Sequence, residues 1–269
     1  MKKFKAAICQ NRQTYDKERN ILHVLDMIDE AASNNAELVI LPEIFYYPYE
    51  LPAMPMVQEE NKETLSRLAE KARKLKIYLC TGSMAEVSKG KRYNRTYLIN
   101  PSGKVILEYS KCHLFDVSFK TLHVSESAVF ESGNKLAAVK TPLGTIGMLI
   151  CYDIRFPEMA RKLACGMGVE FLIVPAAFNT VTGPAHWDMV FRARAVENQI
   201  YVAAASPARK RNSTYKAYGH SMFIDPWGRV LGEANTTEKI IYAETNPKVL
   251  SDTRTRLPLL KHRRPEFYK

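Results

Sequence analysis

Apolar positions along the chain fall into two rhythms. Runs of aliphatic and β-branched residues, apolar at successive positions or alternating, predict strands over residues 4–9, 37–42, 77–83, 92–99, 104–109, 135–140, 145–150, 170–175, 200–205, 219–224, 229–231 and 240–244. Two of these, ELVILP and EFLIVP, are apolar on both faces, as strands of a parallel sheet covered on both sides are. Apolar residues spaced by three and four predict helices over 16–34 (Ile21, Val24, Leu25, Ile28 and Ala32) and 61–74 (Leu65, Leu68, Ala69 and Ala72). Two more helices are predicted over 156–167 and 185–198. Three stretches carry neither rhythm: 46–55 with three prolines, 112–134, and the basic tail 247–269. Loops as long as 112–134 are usually functional.

The pattern repeats. ELVILPEIF (37–45) is matched by EFLIVPAAF (170–178), and AAIC before Gln10 by MLIC before Tyr152. Each apolar strand follows a helix that itself follows a short strand ending in cysteine. Two βαβ units of this kind bury both faces of their sheets by packing sheet on sheet with helices outside. The expected fold is therefore a four-layer α-β-β-α sandwich forming one domain over 1–269, with 247–269 a tail packing on a partner subunit. Chance similarity of two apolar strands is the plainer explanation of the repeat.

The halves differ in chemistry. Glu43 stands where the second half has Ala176, and Cys151 stands where the first has Cys9. Both lie at carboxyl ends of predicted parallel strands, where such folds place ligands. Cys151 also sits at a sharp junction between a strand and a helix that opens near Phe156–Pro157. A nucleophile there is lifted clear of the sheet beside free backbone N–H groups. The plain structural reading is a buried cysteine.

Composition narrows the field. The 269 residues, 46% hydrophobic, supply ample core for one large domain. No apolar run reaches membrane-spanning length, and MKKFKAAICQN leads into a strand rather than a secretory segment, so a cytoplasmic protein without membrane contact is expected. Five cysteines, odd in number and lacking a C-x-x-C pair, suggest neither a disulfide framework nor a zinc site. The net charge of +11 raises nucleic-acid binding as a rival function, but the basic residues are scattered and only Lys261–Arg264 is dense, so no nucleic-acid partner is expected.

A cysteine nucleophile needs a base or an electropositive setting, which would make Cys151 thiolate-prone and accessible. His186 and His220 are candidate partners, though histidines at such places are more often structural. Glu43, closing a buried strand, and Lys111, opening the long loop, are better placed; their plain readings are a structural salt bridge and ordinary surface. A carboxylate, an ammonium and a thiol at separate strand ends form an acyl-transfer kit.

LPE at 41–43, YSKCHLF at 109–115 and CYDIRFPE at 151–158 resemble the three signature blocks of the nitrilase, or carbon–nitrogen hydrolase, superfamily. The resemblance spans essentially the whole chain and implies the same four-layer sandwich. It implies Glu43 as general base and acid, Lys111 as oxyanion donor and Cys151 as nucleophile, with the Tyr152 N–H as second oxyanion donor. Glu126 in HVSES best matches a further catalytic-site glutamate, with Glu131 the weaker match. No cofactor or metal is implied, and homo-oligomers, dimers or larger, are usual. FNTVTGPAHW, RARAVENQIYVAAASPAR and YGHSMFIDPWG look most like the ω-amidase branch. That branch hydrolyses the terminal amide of short dicarboxylic monoamides such as 2-oxoglutaramate and succinamate. Deaminated-glutathione amidase, N-carbamoyl amidohydrolase and nitrilase activities stay open as neighbouring alternatives. Tyr49, Arg155, Phe178 and Arg209 are the candidates for contacting a substrate and its distal carboxylate. Arg155 has a plain alternative as an ion pair with Asp153, and Trp187 and Trp227 read as packing residues.

Overall fold

In the computed structural model, residues 1–57, 61–120, 122–210 and 212–268 are described. The first half starts with β1 (Lys5–Gln10), crosses through α1 (Lys17–Ser33) and returns as β2 (Leu38–Ile40). The short α2 (Met54–Val57) and α3 (Asn61–Leu75) lead on to β3 (Tyr78–Cys80). β4 (Met84–Ser88), β5 (Lys91–Ile99) and β6 (Val105–Ser110) extend this sheet by antiparallel pairing. A small hairpin follows, β7 (Asp116–Phe119) with β8 (Leu122–Ser125).

The second half repeats the plan. β9 (Ala137–Thr141) pairs antiparallel with β10 (Gly144–Met148), and α4 (Pro157–Gly166) leads to β11 (Phe171–Pro175). α5 (Gly183–Asn198) leads to β12 (Tyr201–Ala205), and β13 (Met222–Ile224) and β14 (Val230–Glu233) finish the sheet. β15 (Lys239–Glu244) crosses back to pair with β1, and α6 (Pro247–Arg256) follows.

The strand orders are β15-β1-β2-β3-β5-β4, with β6 on β5, and β14-β13-β12-β11-β10-β9. In each sheet three parallel strands, β1-β2-β3 or β10-β11-β12, are flanked by antiparallel ones. Equivalent hydrogen bonds recur: Glu37 N donates to Lys5 O at 2.8 Å and Glu170 N to Thr145 O at 2.9 Å. Likewise Tyr78 N donates to Glu37 O at 2.9 Å and Tyr201 N to Glu170 O at 3.0 Å. The repeat read from ELVILPEIF and EFLIVPAAF is thus one of topology as well as of letters.

Alternation along the strands assigns the layers. Ala6, Ile8, Leu38 and Ile40 share one core cluster with Met148, Leu172 and Val174 of the second sheet and Leu163, Trp187 and Phe191 of α4 and α5. Ala7, Cys9, Val39 and Leu41 point the other way, onto Ile21, Val24 and Ile28 of α1 and Leu68 and Ala72 of α3. The order is helices, sheet, sheet, helices, as expected. Asp16 starts α1 by accepting from Arg19 N at 3.0 Å.

Three expectations change. Residues 112–134 are not wholly irregular, because the β7–β8 hairpin lies within them; its short strands are too brief for periodicity to show. β4 was not anticipated, since MAEVS alternates only weakly. The tail is not without structure either. Asn246 caps α6 by accepting from Lys248 N at 2.9 Å, and Leu250 and Thr253 are buried against the chain's own body. The Gln199 amide donates to the carbonyls of Thr253 and Leu257. Two buried positions one turn apart are too few to register as a stripe. Beyond α6, Phe267 and Tyr268 are exposed, and Lys269 lies outside the described residues.

The end of β2 that carries Glu43 is braced by Gly82. At φ +67°, its position leaves no room for a side chain: a Cβ would lie 2.1 Å from the Pro42 carbonyl oxygen. Gly82→Ala is expected to cost about 1–3 kcal/mol from backbone strain alone, and more from the clash. Gly90→Ala isolates the strain, since its φ is +75° with nothing within 4 Å. Urea unfolding of both variants checks this; equal losses would mean that the contact with Pro42 gives way freely.

Candidate active site

Glu43 and Cys151 leave their strands at two matching bends. Ile44, just after Glu43, has φ +46°, and Cys151 itself has φ +47°. A β-branched residue in this region is a genuine outlier, so the surroundings must enforce it. The Ile44 bend is held by Ser83 Oγ, which accepts from Ile44 N at 3.2 Å, and by Gln13 Nε2, which donates to Ile44 O at 2.6 Å. Cys151 opens a 3-10 turn over Cys151–Arg155 before α4. The turn is locked from beneath by Asp153, which is fully buried. Its Oδ2 accepts from Tyr109 OH at 2.7 Å and Ile150 N at 3.2 Å; its Oδ1 accepts from His113 N at 2.8 Å and pairs with His113 Nδ1 at 2.9 Å. Tyr109 and His113 flank Lys111, so one carboxylate ties the lysine segment to the cysteine turn.

Lys111 follows β6 and is buried, its side chain 1% exposed. Its Nζ donates to Glu43 Oε1 at 3.1 Å and to Glu126 Oε1 at 2.9 Å, with Glu126 Oε2 at 2.8 Å. Glu126, in the turn after β8, also accepts from Tyr49 OH at 2.7 Å and Phe115 N at 2.6 Å. Asn94 Nδ2 donates to Glu43 Oε1 at 2.8 Å and reaches Glu126 Oε1 at 3.3 Å. Glu43 Oε2 is buried without a hydrogen-bond partner among the described residues. Even so, Glu43 and Cys151 act on each other's protonation, so they lie within electrostatic reach.

Burial sets the protonation states. It raises the Glu43 pKa above the ordinary 4.5, opposed by Lys111 and reinforced by Glu126. It also lifts the Cys151 thiol well above its usual range, helped by Glu43 and opposed by Lys111. For Lys111 burial works downward, but the two carboxylates outweigh it and hold the ammonium well above its usual value. Cys151 therefore rests as a thiol, 7% exposed, rather than the accessible, thiolate-prone group expected from sequence. Its attack on a carbonyl requires a base to take its proton, and Glu43 Oε2 has the free lone pair. In the cysteine turn the first N–H to find a carbonyl is that of Asp153, bonded to Ile150 O at 3.1 Å. The Tyr152 N–H precedes it, among the donors that a helix start leaves open.

The cleft over the thiol is narrow, about 10 Å³, and is lined by Phe115, Tyr152, Arg155, Phe178, Thr182 and Tyr215 besides Cys151. Two larger hollows, of about 670 and 770 Å³, do not include the cysteine; the second shares Tyr49 and Tyr215 with the site. Size alone would therefore mislead, and the titratable groups locate the chemistry. Among the described residues, no group of three or more His, Cys, Asp or Glu could hold a metal ion.

The structure brings Glu43, Lys111, Glu126, Cys151, Tyr49, Arg155 and Phe178 to one place. Arg155 does not pair with Asp153. It stacks 4.2 Å over the Phe178 ring and donates from Nη1 to His186 Nδ1 at 2.8 Å. Arg209 is outside the cleft, bonded to the carbonyls of Ala217 and Tyr218 at 3.4 and 3.1 Å. Glu131 is a surface residue 3.5 Å from Lys91, and His220 faces Glu233 at 3.5 Å. Trp187 packs in the core, but Trp227 is 52% exposed on its turn rather than packed. Asn94, His113 and Tyr109 were missed as site residues. Only the proximity of His113 and Tyr109 to Lys111 hinted at them, and nothing in the sequence marked Asn94.

Residues 5–255 match the carbon-nitrogen hydrolase family. The chain is 39% identical over 270 residues to the mouse protein Omega-amidase NIT2, covering 100% of this chain and 98% of that one. It is 42% identical over 258 residues to Nitrilase homolog 2 of Dictyostelium discoideum, covering 94% of this chain and 78% of that one. The crystal structure of Saccharomyces cerevisiae Nit3, a member of branch 10 of the nitrilase superfamily, superposes with a TM-score of 0.90 at 38% identity, over 98% of this chain and 97% of that one.

Removing one charge from the lock beneath the cysteine turn tests its worth. Asp153→Asn turns an amide toward donors that need acceptors. The expected loss is about 2–4 kcal/mol in urea unfolding, with two buried donors left unpaired. A change below about 0.5 kcal/mol, the scale of an ordinary surface substitution, would show that the lock contributes nothing.

Proposed function

The chain belongs to the carbon–nitrogen hydrolase family, and from that premise we propose that it is an amidase that releases ammonia from the terminal amide of small dicarboxylic monoamides, succinamate and 2-oxoglutaramate among them. The observation that carries the substrate class is Arg155. Its guanidinium lines the cleft of Cys151, resting on Phe178 and anchored by His186. A guanidinium beside a thiol binds a carboxylate at the far end of a short substrate, and bidentate pairing gives direction as well as affinity. The name of the mouse relative supports the same class.

In the proposed reaction Glu43 Oε2 takes the thiol proton as Cys151 Sγ attacks the amide carbon. The carbonyl π pair moves to oxygen, and the oxyanion is held by Lys111 Nζ and the Tyr152 N–H. The C–N bond breaks as Glu43 returns its proton to nitrogen, and ammonia leaves a thioester on Cys151. Water then attacks the thioester with Glu43 again taking a proton. The thiolate leaves, is reprotonated by Glu43, and the dicarboxylic acid departs. Glu126, with Tyr49 and the Phe115 N–H, keeps Lys111 aimed. The remaining expectations, association into dimers or larger and a cytoplasmic location, are part of the same proposal. No helix among the described residues is long and apolar enough to cross a membrane.

Ammonia release is the assay. Cys151→Ala and Glu43→Gln are expected to abolish turnover, and Lys111→Ala to lose about a hundredfold or more. Succinamate is expected to outpace butyramide by roughly a hundredfold in kcat/KM, and Arg155→Ala to erase that difference, the scale of one charge-assisted contact of about 2–3 kcal/mol. Equal rates for the two amides in the unaltered protein would remove the carboxylate anchor. Because Glu43 must be ionised to act and burial raises its pKa, activity falls as pH drops through that raised value. The acid limb of kcat/KM is therefore expected above the ordinary 4.5; a limb at or below it would exclude Glu43 as the base.

A further inference from the structure

We infer that Asn94 is the positioning residue for the base: its amide clamps the Oε1 atoms of Glu43 and Glu126 together and thereby leaves Glu43 Oε2 bare and facing Cys151. This rests on the reading of Glu43 as the base. Two carboxylates are buried at one ammonium, so with both ionised one negative charge lacks a counter-ion. Lys111 has too little charge to hold both. Asn94 Nδ2 supplies neutral donors to the same oxygens, at 2.8 Å to Glu43 and 3.3 Å to Glu126. With Lys111 and Asn94 both on Glu43 Oε1, the basic electron pair is confined to Oε2.

The other end of the side chain shows what the residue is for. Asn94 is completely buried, and its Oδ1 has no hydrogen-bond partner among the described residues. A buried orphan carbonyl is costly. An apolar residue of the same shape would avoid that cost, so the amide is kept for its N–H donors. Asn94 sits in β5 opposite Ala85, and its own carbonyl accepts from Lys111 N at 2.9 Å. One strand position therefore sets the lysine backbone and both glutamate side chains. The charged and titratable groups facing Glu43 are Lys111, Glu126 and Cys151, with Tyr49 and Tyr215 beyond them. Donors to an ionised carboxylate favour the ionised form, so losing them raises the pH at which the Glu43–Cys151 pair becomes competent.

The test is the pH dependence of Cys151 alkylation by iodoacetamide, read by peptide mass. It needs no knowledge of the substrate. The thiol proton passes to Glu43, sulfur bonds to the methylene carbon, and iodide leaves. Exposed Cys165 in the same protein is the internal reference. Asn94→Leu, with the same branching and no donors, is expected to move the acid limb at Cys151 up by about one pH unit or more while the Cys165 profile stays in place. A merely structural role would change the amount of folded protein and leave the limb where it is. If Asn94→Leu does not fold, Asn94→Ser, which keeps one short donor, is expected to shift the limb in the same direction by less. Coincident limbs in the folded variant and the unaltered protein would overturn the inference. So would a Glu43→Gln variant whose Cys151 alkylates like the unaltered protein. That second result would remove the base itself, whereas the first leaves Glu43 as base and removes only its positioning by Asn94.

Discussion

Lys111 is a buried ammonium shared by two buried carboxylates, and the geometry of the site follows from satisfying it. None of the three groups tolerates burial alone, since an unpaired charge in the interior costs several kcal/mol. Together they are stable only if each remaining lone pair finds a donor. Tyr49 OH and Phe115 N serve Glu126, and Asn94 serves both carboxylates. One carboxylate oxygen is left out of this satisfaction, Glu43 Oε2, and Cys151 is the remaining group that acts on that carboxyl. An unsatisfied carboxylate oxygen beside a thiol is a place for that thiol's proton. The same low dielectric raises both the carboxyl and the thiol pKa, and passing the proton from Cys151 to Glu43 moves one negative charge within the site rather than creating a new one.

The sandwich makes this arrangement possible by presenting strand ends from two sheets to one region. The two halves share topology and hydrogen bonds, yet each contributes what the other lacks. Glu43 stands where the second half has Ala176, but the register sets Lys5 against Thr145, and so Cys151 against Asn11 and Cys9 against Leu149, two residues off the match of AAIC with MLIC. Cys9, which the match of AAIC with MLIC set against the nucleophile, lies inside β1, wholly buried, and its thiol is pushed up by desolvation. Asp153 then couples the halves locally, fastening the cysteine turn to residues on either side of the lysine.

Much of this was legible in the sequence where chemistry is written in consecutive letters. LPE, YSKCHLF and CYDIRFPE place Glu43, Lys111 and Cys151, and the doubled apolar strands imply sheet on sheet. What was not legible depends on contacts between distant residues. Asn94 lies 51 residues from Glu43 and 32 from Glu126 in sequence, inside a strand that reads as ordinary. Arg155 and Asp153, two residues apart in the motif, suggested an ion pair. Their side chains instead leave the turn in different directions, one to Phe178 and His186, the other to Tyr109 and His113. Arg209 looked suited to a carboxylate because of its charge, but two backbone carbonyls already occupy its guanidinium. α6 escaped notice because it buries only two residues, and the reactivity expected of Cys151 ignored the burial that a strand end between two sheets imposes.

The proposed reaction turns on a covalent intermediate at one sulfur. Rapid acid quench of the protein mixed with excess succinamate, followed by intact mass and peptide mapping, tests it. The expected result is one succinyl group, on Cys151, formed in step with a burst of ammonia and lost as succinate accumulates. Steady ammonia release with no adduct on Cys151, or with the adduct on another residue, would contradict the mechanism.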